Sequence, residues 1–128
     1  MARVVLDSSV LIAMFYDGDI HFEAVSQKLD AEENDYFIST ITMAETLTYA
    51  AGKGPAKMAK MVNSIKGAVT EVVPVDEALA IEAAKIRSKT KLKIPDAIIS
   101  ATAGRLGATL WTLDKKLAKA HKGAVLIK

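Results

Sequence analysis

Short apolar runs recur along the chain and are separated by longer segments with helical periodicity. Five runs are β-branched or aromatic and mostly continuous: Val4–Leu6, Tyr36–Ile38, Val72–Val75, Thr109–Thr112 and Ala124–Ile127. Continuous apolar runs of this length are typical of strands that are covered on both faces of a parallel sheet. The pattern therefore predicts five buried strands.

The segments between these runs have the periodicity of amphipathic helices. Gly52 is placed to end one helix, Pro55 to begin the next, and Asp76 to cap the helix after the third strand. The order is strand, two helices, strand, two helices, strand, two helices, strand, short helix and strand. It predicts one domain over residues 1–128, of the α/β class, with three α/β/α layers around a central, mainly parallel five-stranded sheet. The apolar positions that define the helix faces are Phe22, Val25 and Leu29; Met58, Met61, Val62 and Ile65; and Leu79, Ala83 and Ile86.

Composition limits the chemistry available to this domain. The chain is 51% hydrophobic and 25% charged, which is typical of a globular protein. It has no cysteine and two histidines, which excludes disulfides, thiolate zinc sites, cysteine nucleophiles and multi-histidine metal sites. No apolar run reaches ~18 residues, and Asp7 comes too early for a signal peptide. We therefore expect a cytoplasmic protein with no membrane partner, whose chemistry uses carboxylates, hydroxyls, lysine or arginine.

The net charge of +2 conceals an uneven distribution. Residues 1–84 contain six Lys and Arg against thirteen Asp and Glu, whereas residues 85–128 contain eleven against two. Five of the basic residues lie in one segment without an acidic residue among them: Lys85, Arg87, Lys89, Lys91 and Lys93. This segment could contact RNA phosphates, or it could be the cation-rich end of a helix followed by a solvated loop.

Four acidic residues lie where ligand sites form in open α/β sheets, beyond the carboxyl ends of the strands. Asp7 follows the first strand, Glu45 lies in the helix after the second, Asp96 begins a helix, and Asp114 follows the fourth strand. Each also has a structural explanation. Asp7 and Asp114 could cap helices, Thr42 and Glu45 have the spacing of a capping box, and Asp96 suits a helix dipole.

Periodicity places two of these acids on apolar helix faces without a Lys or Arg. Glu45 shares its predicted stripe with Ile41, Ala44, Leu47, Thr48 and Ala51, and Asp96 shares its stripe with Ile99, Ser100 and Ala103. A buried unpaired carboxylate is costly, so it normally finds a partner or a metal ion. Carboxylates that converge without a cation favour a divalent ion, and oxygen ligands favour Mg²⁺ or Mn²⁺ over zinc.

These segments, taken in order, resemble a known family. The matching stretches are Val5-Leu6-Asp7-Ser8-Ser9, Met43-Ala44-Glu45, the helix opening Pro95-Asp96-Ala97 with its continuation to Ala103, and Leu110-Trp111-Thr112-Leu113-Asp114. The set is similar to a PIN domain, and within that family it most resembles the VapC-like ribonuclease toxins of type II toxin–antitoxin systems. The resemblance covers the whole chain.

The resemblance implies a metal-dependent endoribonuclease. One or two Mg²⁺ or Mn²⁺ ions would promote the in-line attack of water on an RNA phosphodiester. It also implies a homodimer that a cognate antitoxin inhibits. The residues that match the acidic quartet of the family are Asp7, Glu45, Asp96 and Asp114. Ser8 and Thr112 match hydroxyl positions that could orient a ligand or water, and the candidates for RNA contact are Arg87, Lys89, Lys91 and Lys93.

Three other functions are compatible with parts of the pattern. A catalytically weak PIN-like domain could serve as an RNA-binding or assembly module. A receiver-type signalling domain could use Asp76 as its phosphoacceptor, although the acidic pair and the Lys-Pro typical of that class are absent. A haloacid-dehalogenase-like phosphatase would require a second Asp where Ser9 stands.

Overall fold

The computed structural model describes residues 1–128 and contains five strands and seven helices in the predicted order. The strands are β1 (Ala2–Leu6), β2 (Asn34–Ser39), β3 (Glu71–Val73), β4 (Thr109–Thr112) and β5 (Val125–Leu126). The helices are α1 (Ser8–Phe15), α2 (Phe22–Ala31), α3 (Thr40–Ala51), α4 (Pro55–Ala68), α5 (Glu77–Thr90), α6 (Ile94–Leu106) and α7 (Lys115–Ala120). The predicted α/β class is confirmed.

The five strands form one sheet in the order β3-β2-β1-β4-β5, and every neighbouring pair is parallel. The sheet predicted as mainly parallel is therefore parallel throughout. The chain builds outward from β1 through β2 to β3, and then returns to place β4 on the other side of β1. The change of direction leaves a crevice between the carboxyl ends of β1 and β4, where ligand sites of open α/β sheets form.

Alternating side chains of the sheet divide the apolar core into two layers, as the period-2 geometry of a strand requires. Val5 and Leu110 face the layer that contains α5, α6 and α7. Val4, Leu6 and Trp111 face the opposite layer, which contains α1, α2 and α4. The strands are therefore covered on both faces, which explains why their sequences are continuously apolar.

Local signals fix most of the element boundaries. Gly52 ends α3, Pro55 begins α4, and the Asp76 side chain caps α5 by accepting a hydrogen bond from the Leu79 amide at 2.8 Å. β3 ends at Val73, earlier than its apolar run suggests, because Pro74 follows and has no amide hydrogen for the ladder. None of the helices combines the length and apolarity needed to cross a membrane.

Candidate active site

Asp7 lies at the end of β1, at the crevice between β1 and β4, and its side chain is 4% exposed. One carboxylate oxygen, Oδ1, accepts hydrogen bonds from the Val10 amide at 3.0 Å and from Ser9 Oγ at 2.6 Å. The other oxygen, Oδ2, accepts a hydrogen bond from Thr112 Oγ1. The first contact is the helix cap predicted for α1, and the last ties β1 to β4 at the crevice.

Thr112 and Asp114 bring a second acid to the same edge of the sheet. Thr112 is fully buried at the end of β4, and its hydroxyl accepts a hydrogen bond from the Asp114 amide at 2.9 Å while it donates to Asp7. The exposed Asp114 side chain caps α7 by accepting from the Lys116 amide at 2.8 Å. Thr112 therefore orients Asp7 and positions the backbone that carries Asp114.

Ser9 has a positioning role that the sequence analysis missed. Its hydroxyl donates to Asp7 Oδ1 at 2.6 Å and accepts from the Leu113 amide at 3.2 Å, so it links α1 to the segment after β4. The Asp-x-Ser spacing of Asp7 and Ser9 was the available signal, because a Ser two residues after an Asp can contact its carboxylate.

Asp96 lies in the first turn of α6 and is half-buried beside the core. Burial raises the pKa of its carboxyl group, and the negative charges of Asp114, Asp7 and Glu45 raise this pKa further, whereas Lys93 lowers it. The helix residues that follow, from Ala97 to Ala103, are all buried, so burial extends beyond the predicted stripe of Ile99, Ser100 and Ala103. Asp96 therefore shares one electrostatic environment with the three other predicted acids.

Glu45 is brought to the site by a helix face that the sequence analysis placed wrongly. The predicted stripe contains three exposed residues, Ala44, Thr48 and Ala51, and Glu45 itself is exposed; the buried residues of α3 are Thr42, Thr46, Leu47 and Ala50. The capping box of Thr42 and Glu45 is also wrong, because Ser39 caps α3 and Thr42 lies inside the helix. Glu45 Oε1 instead accepts a hydrogen bond from Ser8 Oγ at 2.5 Å, which links α3 to α1.

The four carboxylates fit a divalent cation in their chemistry. Burial is the main cause that raises the pKa of Asp7, and the charge of Asp114 adds to it. None of the four makes a salt bridge, and Lys93 acts on Asp96 through its charge without forming an ion pair. No group of three acidic or histidine side chains is arranged to hold an ion in this conformation. Glu45 and Asp114 are exposed, and side chains of this kind change rotamer readily.

The predicted basic segment spans the end of α5 and the loop before α6. Arg87 Nη1 donates to the Leu92 carbonyl at 2.6 Å, and Lys85 Nζ lies 3.9 Å from Glu82 Oε2. Both side chains therefore have partners within the fold. Lys89, Lys91 and Lys93 are exposed and make no ion pair. Lys93 is close enough to affect the pKa of Asp96, which places the end of the segment beside the acids.

Comparison with known families identifies this arrangement. The PIN domain model matches residues 4–123. The chain belongs to the PIN domain family. The receiver-type alternative is thereby excluded, and in this PIN domain Asp76 caps α5 and accepts two 2.8 Å hydrogen bonds from Arg105, which lower the pKa of Asp76 to about 2. A search of curated proteins finds no match.

Solved structures of toxin–antitoxin proteins resemble this PIN domain over nearly its whole length. A toxin–antitoxin complex from Klebsiella pneumoniae contains a chain that is 27% identical, with 95% of each chain covered and a TM-score of 0.79. FitAcB from Neisseria gonorrhoeae is 26% identical, with 96% of each chain covered and a TM-score of 0.76. VapC20 from Mycobacterium tuberculosis, described as a toxin that cleaves the sarcin–ricin loop, is 18% identical over 98% of each chain with a TM-score of 0.79, and this likeness shows the shared fold.

Proposed function

We propose that this PIN domain is a metal-dependent endoribonuclease and the toxin of a VapBC-type toxin–antitoxin pair. One observation carries the nuclease part: Asp7, Glu45, Asp96 and Asp114 come from four separate segments to one edge of the sheet, and none of them forms a salt bridge. The similarity to toxin–antitoxin structures supports the toxin part. Residues 1–128 would form one nuclease domain.

The four acids would hold one or two Mg²⁺ or Mn²⁺ ions. A bound ion supplies positive charge that offsets the charge developing on the phosphate and on the leaving oxygen. The hydrogen bonds from Ser9 and Thr112 fix both oxygens of the Asp7 carboxylate and favour its ionised form. Ser8 similarly orients Glu45 through Oε1 and leaves Oε2 free of hydrogen bonds within the protein.

The partners belong to the same proposal. RNA is the substrate, and the exposed lysines beside Asp96 would contact its phosphates. A cognate antitoxin would inhibit the nuclease, and two copies of the chain would form a homodimer. Sedimentation at micromolar concentration tests the dimer, because a chain of 13.7 kDa that sediments as a monomer throughout would contradict it.

Cleavage of single-stranded RNA tests the nuclease. We expect hydrolysis with Mg²⁺ or Mn²⁺, no hydrolysis with a chelator, and a loss of rate greater than about 100-fold in Asp7→Asn and Asp96→Asn. Substitutions that only touch metal ligands indirectly already cost about 10–100-fold, so loss of a ligand should cost more. Asp30→Asn is the matched control, since Asp30 is exposed on α2 and makes no salt bridge. Equal rates in the parent and Asp96→Asn would contradict the proposed site.

A catalytically weak RNA-binding or assembly module is the second candidate. The absence of a group of three acids already arranged around an ion favours it. This function predicts that the parent binds RNA with the same affinity with metal and with chelator, and that it leaves the RNA intact in both. The cleavage experiment therefore separates the two candidates.

A further inference from the structure

A second cleft, with a mixed polar and apolar lining, lies outside the acidic site, between the carboxyl ends of α1 and α3 and the first three turns of α4. It has a volume of about 450 Å³ and is lined by aromatic and basic side chains. Tyr16 and Tyr49 contact each other edge to face, with ring centroids 5.2 Å apart. Lys53 Nζ lies 5.2 Å from the centroid of the Tyr49 ring, and Lys57 and Lys60 extend the basic lining along α4. We name these five residues the aromatic–lysine cleft.

The cleft is positively charged, although it lies in the acidic part of the chain. No Asp or Glu occurs between Glu45 and Glu71, whereas four lysines do: Lys53, Lys57, Lys60 and Lys66. None of the four makes a salt bridge, and all are exposed. Division of the chain into an acidic half and a basic half therefore conceals a second basic segment.

The helices connect this cleft to the acidic site. Tyr49 follows Glu45 by four residues on α3, so the two side chains lie on the same face about 6 Å apart along the helix axis. On α1, Ser8 contacts Glu45 at one end, and Tyr16 contacts Tyr49 just beyond the other end. These two contacts place the acidic site and the cleft at successive positions along the α1–α3 contact.

We propose that the aromatic–lysine cleft binds the single-stranded RNA next to the phosphodiester held at the acids. This inference rests on the proposed function and assigns a base-stacking position to it. A base would stack on the ring of Tyr49, a residue that is 58% exposed, and the three lysines would contact phosphates. Exposed aromatic rings beside basic side chains are the usual means of binding single strands, because every base has a face that can stack.

Acidic side chains next to the cleft indicate which side of it the strand would follow. Asp17 and Asp19 line the adjoining surface on the α1 side of Tyr49. They would repel phosphates, so the strand should follow the α4 side of the cleft, where the lysines lie.

Binding of a fluorescein-labelled oligouridine in chelator, measured by anisotropy, tests the cleft without cleavage. Tyr49→Ala should weaken binding about tenfold, whereas Tyr49→Phe should bind like the parent because it keeps the ring. The double variant Lys57→Ala/Lys60→Ala should reduce the slope of log affinity against log salt by about 1.4, since each phosphate contact on a single strand contributes about 0.7.

Lys66→Ala is the control, because it removes one positive charge from α4 outside the cleft. It should leave the salt slope unchanged, and equal slopes in this control and the double variant would overturn the proposal. If Tyr49→Ala binds RNA as tightly as the parent but no longer binds the antitoxin, the cleft is a binding site for the protein partner. This result would also overturn the proposal. If the cleft variants lose affinity while the parent fails to cleave RNA with metal, the cleft stands and the proposed nuclease function fails.

Discussion

At the scale of single residues, Asp7 and Asp114 each serve as a helix cap and as a member of the acidic cluster. Asp7 caps α1 with Oδ1, which leaves Oδ2 to face Thr112 at the crevice. Asp114 caps α7 with Oδ1, and its Oδ2 makes no hydrogen bond within the protein. From the sequence, a helix cap and a site residue are alternative roles for Asp7 and Asp114. The two roles are compatible, because one carboxylate oxygen can cap a helix while the other remains available to the site.

Asp96 provides the sharpest test of the cluster that does not require RNA. Its pKa is raised by burial and by three neighbouring carboxylates, so the metal-free protein contains a repulsion that Asp96→Asn relieves. We expect the variant to melt at a higher temperature than the parent in chelator. With Mg²⁺ or Mn²⁺ the difference should narrow or reverse, because an ion that binds the folded state stabilises the parent more.

A role of Asp96 limited to the helix dipole gives a different result. Removal of a favourable charge at a helix start lowers stability by about 0.3–1 kcal/mol and does so with or without metal. Asp30→Asn controls for the general effect of removing a negative charge. Identical responses to metal in the parent and Asp96→Asn would remove Asp96 from the site.

His121 makes the pH dependence of stability testable away from the acids. Its Nδ1 lies 2.6 Å from Ser100 Oγ, and burial lowers the pKa of its ring. As the pH falls below about 6.5, the unfolded chain takes up this proton before the folded protein does, so stability falls with pH. As the pH falls, the free energy of unfolding of the parent should therefore decrease by up to about 1.4 kcal/mol per pH unit more than that of His121→Gln. Thermal melting between pH 7 and pH 5 measures this, and a parallel decline in both proteins would contradict it; His21→Gln, at an exposed position, is the control.

At the scale of elements, the order of strands and helices follows from the sequence, whereas their pairing does not. Strands buried on both faces are continuously apolar, so each is visible locally. The order in the sheet depends on contacts between distant residues, such as Thr112 with Asp7. The face of α3 was predicted wrongly because Thr occurs on both of its faces: Thr42 and Thr46 are buried, whereas Thr40 and Thr48 are exposed.

The loop between α5 and α6 brings Lys93 near Asp96. Lys91 ends α5 in a left-handed conformation with φ of 63°, and Arg87 secures the turn by donating to the Leu92 carbonyl. Left-handed backbone is unfavourable for most side chains, and Asn tolerates it better than Ala does. A variant that removes charge here should therefore use Asn at position 91.

The variant Lys89→Ala/Lys91→Asn/Lys93→Ala tests whether this loop contacts RNA. If each lysine contacts one phosphate, the slope of log affinity against log salt should fall by about 2. Titration of labelled oligouridine between about 50 and 200 mM salt measures it. Lys85→Ala is the control, because Lys85 is paired with Glu82 and should change the slope less. An unchanged slope in the triple variant would assign the loop to solvent.

At the scale of the whole molecule, the fold combines two parts of the chain that differ in charge. Asp7 and Glu45 come from the acidic part, and Asp96 and Asp114 come from the basic part, because β4 lies beside β1 in the sheet. The acids then lie with the aromatic–lysine cleft on one side and the lysines before Asp96 on another. The positive potential of these lysines would attract RNA phosphates to both sides of the acids, whereas the acids themselves require a cation. The sequence predicts the acids and one basic segment, but this arrangement follows from strand order and could not be predicted.

Expression of the chain in cells tests the activity of the whole molecule as a toxin. A nuclease turns over many RNA molecules, so a small amount of the parent should arrest growth, and Asp96→Asn should not. Asp30→Asn should arrest growth like the parent, which separates the effect of the site from the burden of expression. Co-expression of the antitoxin should restore growth of cells that contain the parent. Equal arrest by the parent and Asp96→Asn would show that toxicity comes from binding, as expected of an RNA-binding module. Normal growth with the parent would contradict the toxin function but not cleavage of RNA in vitro.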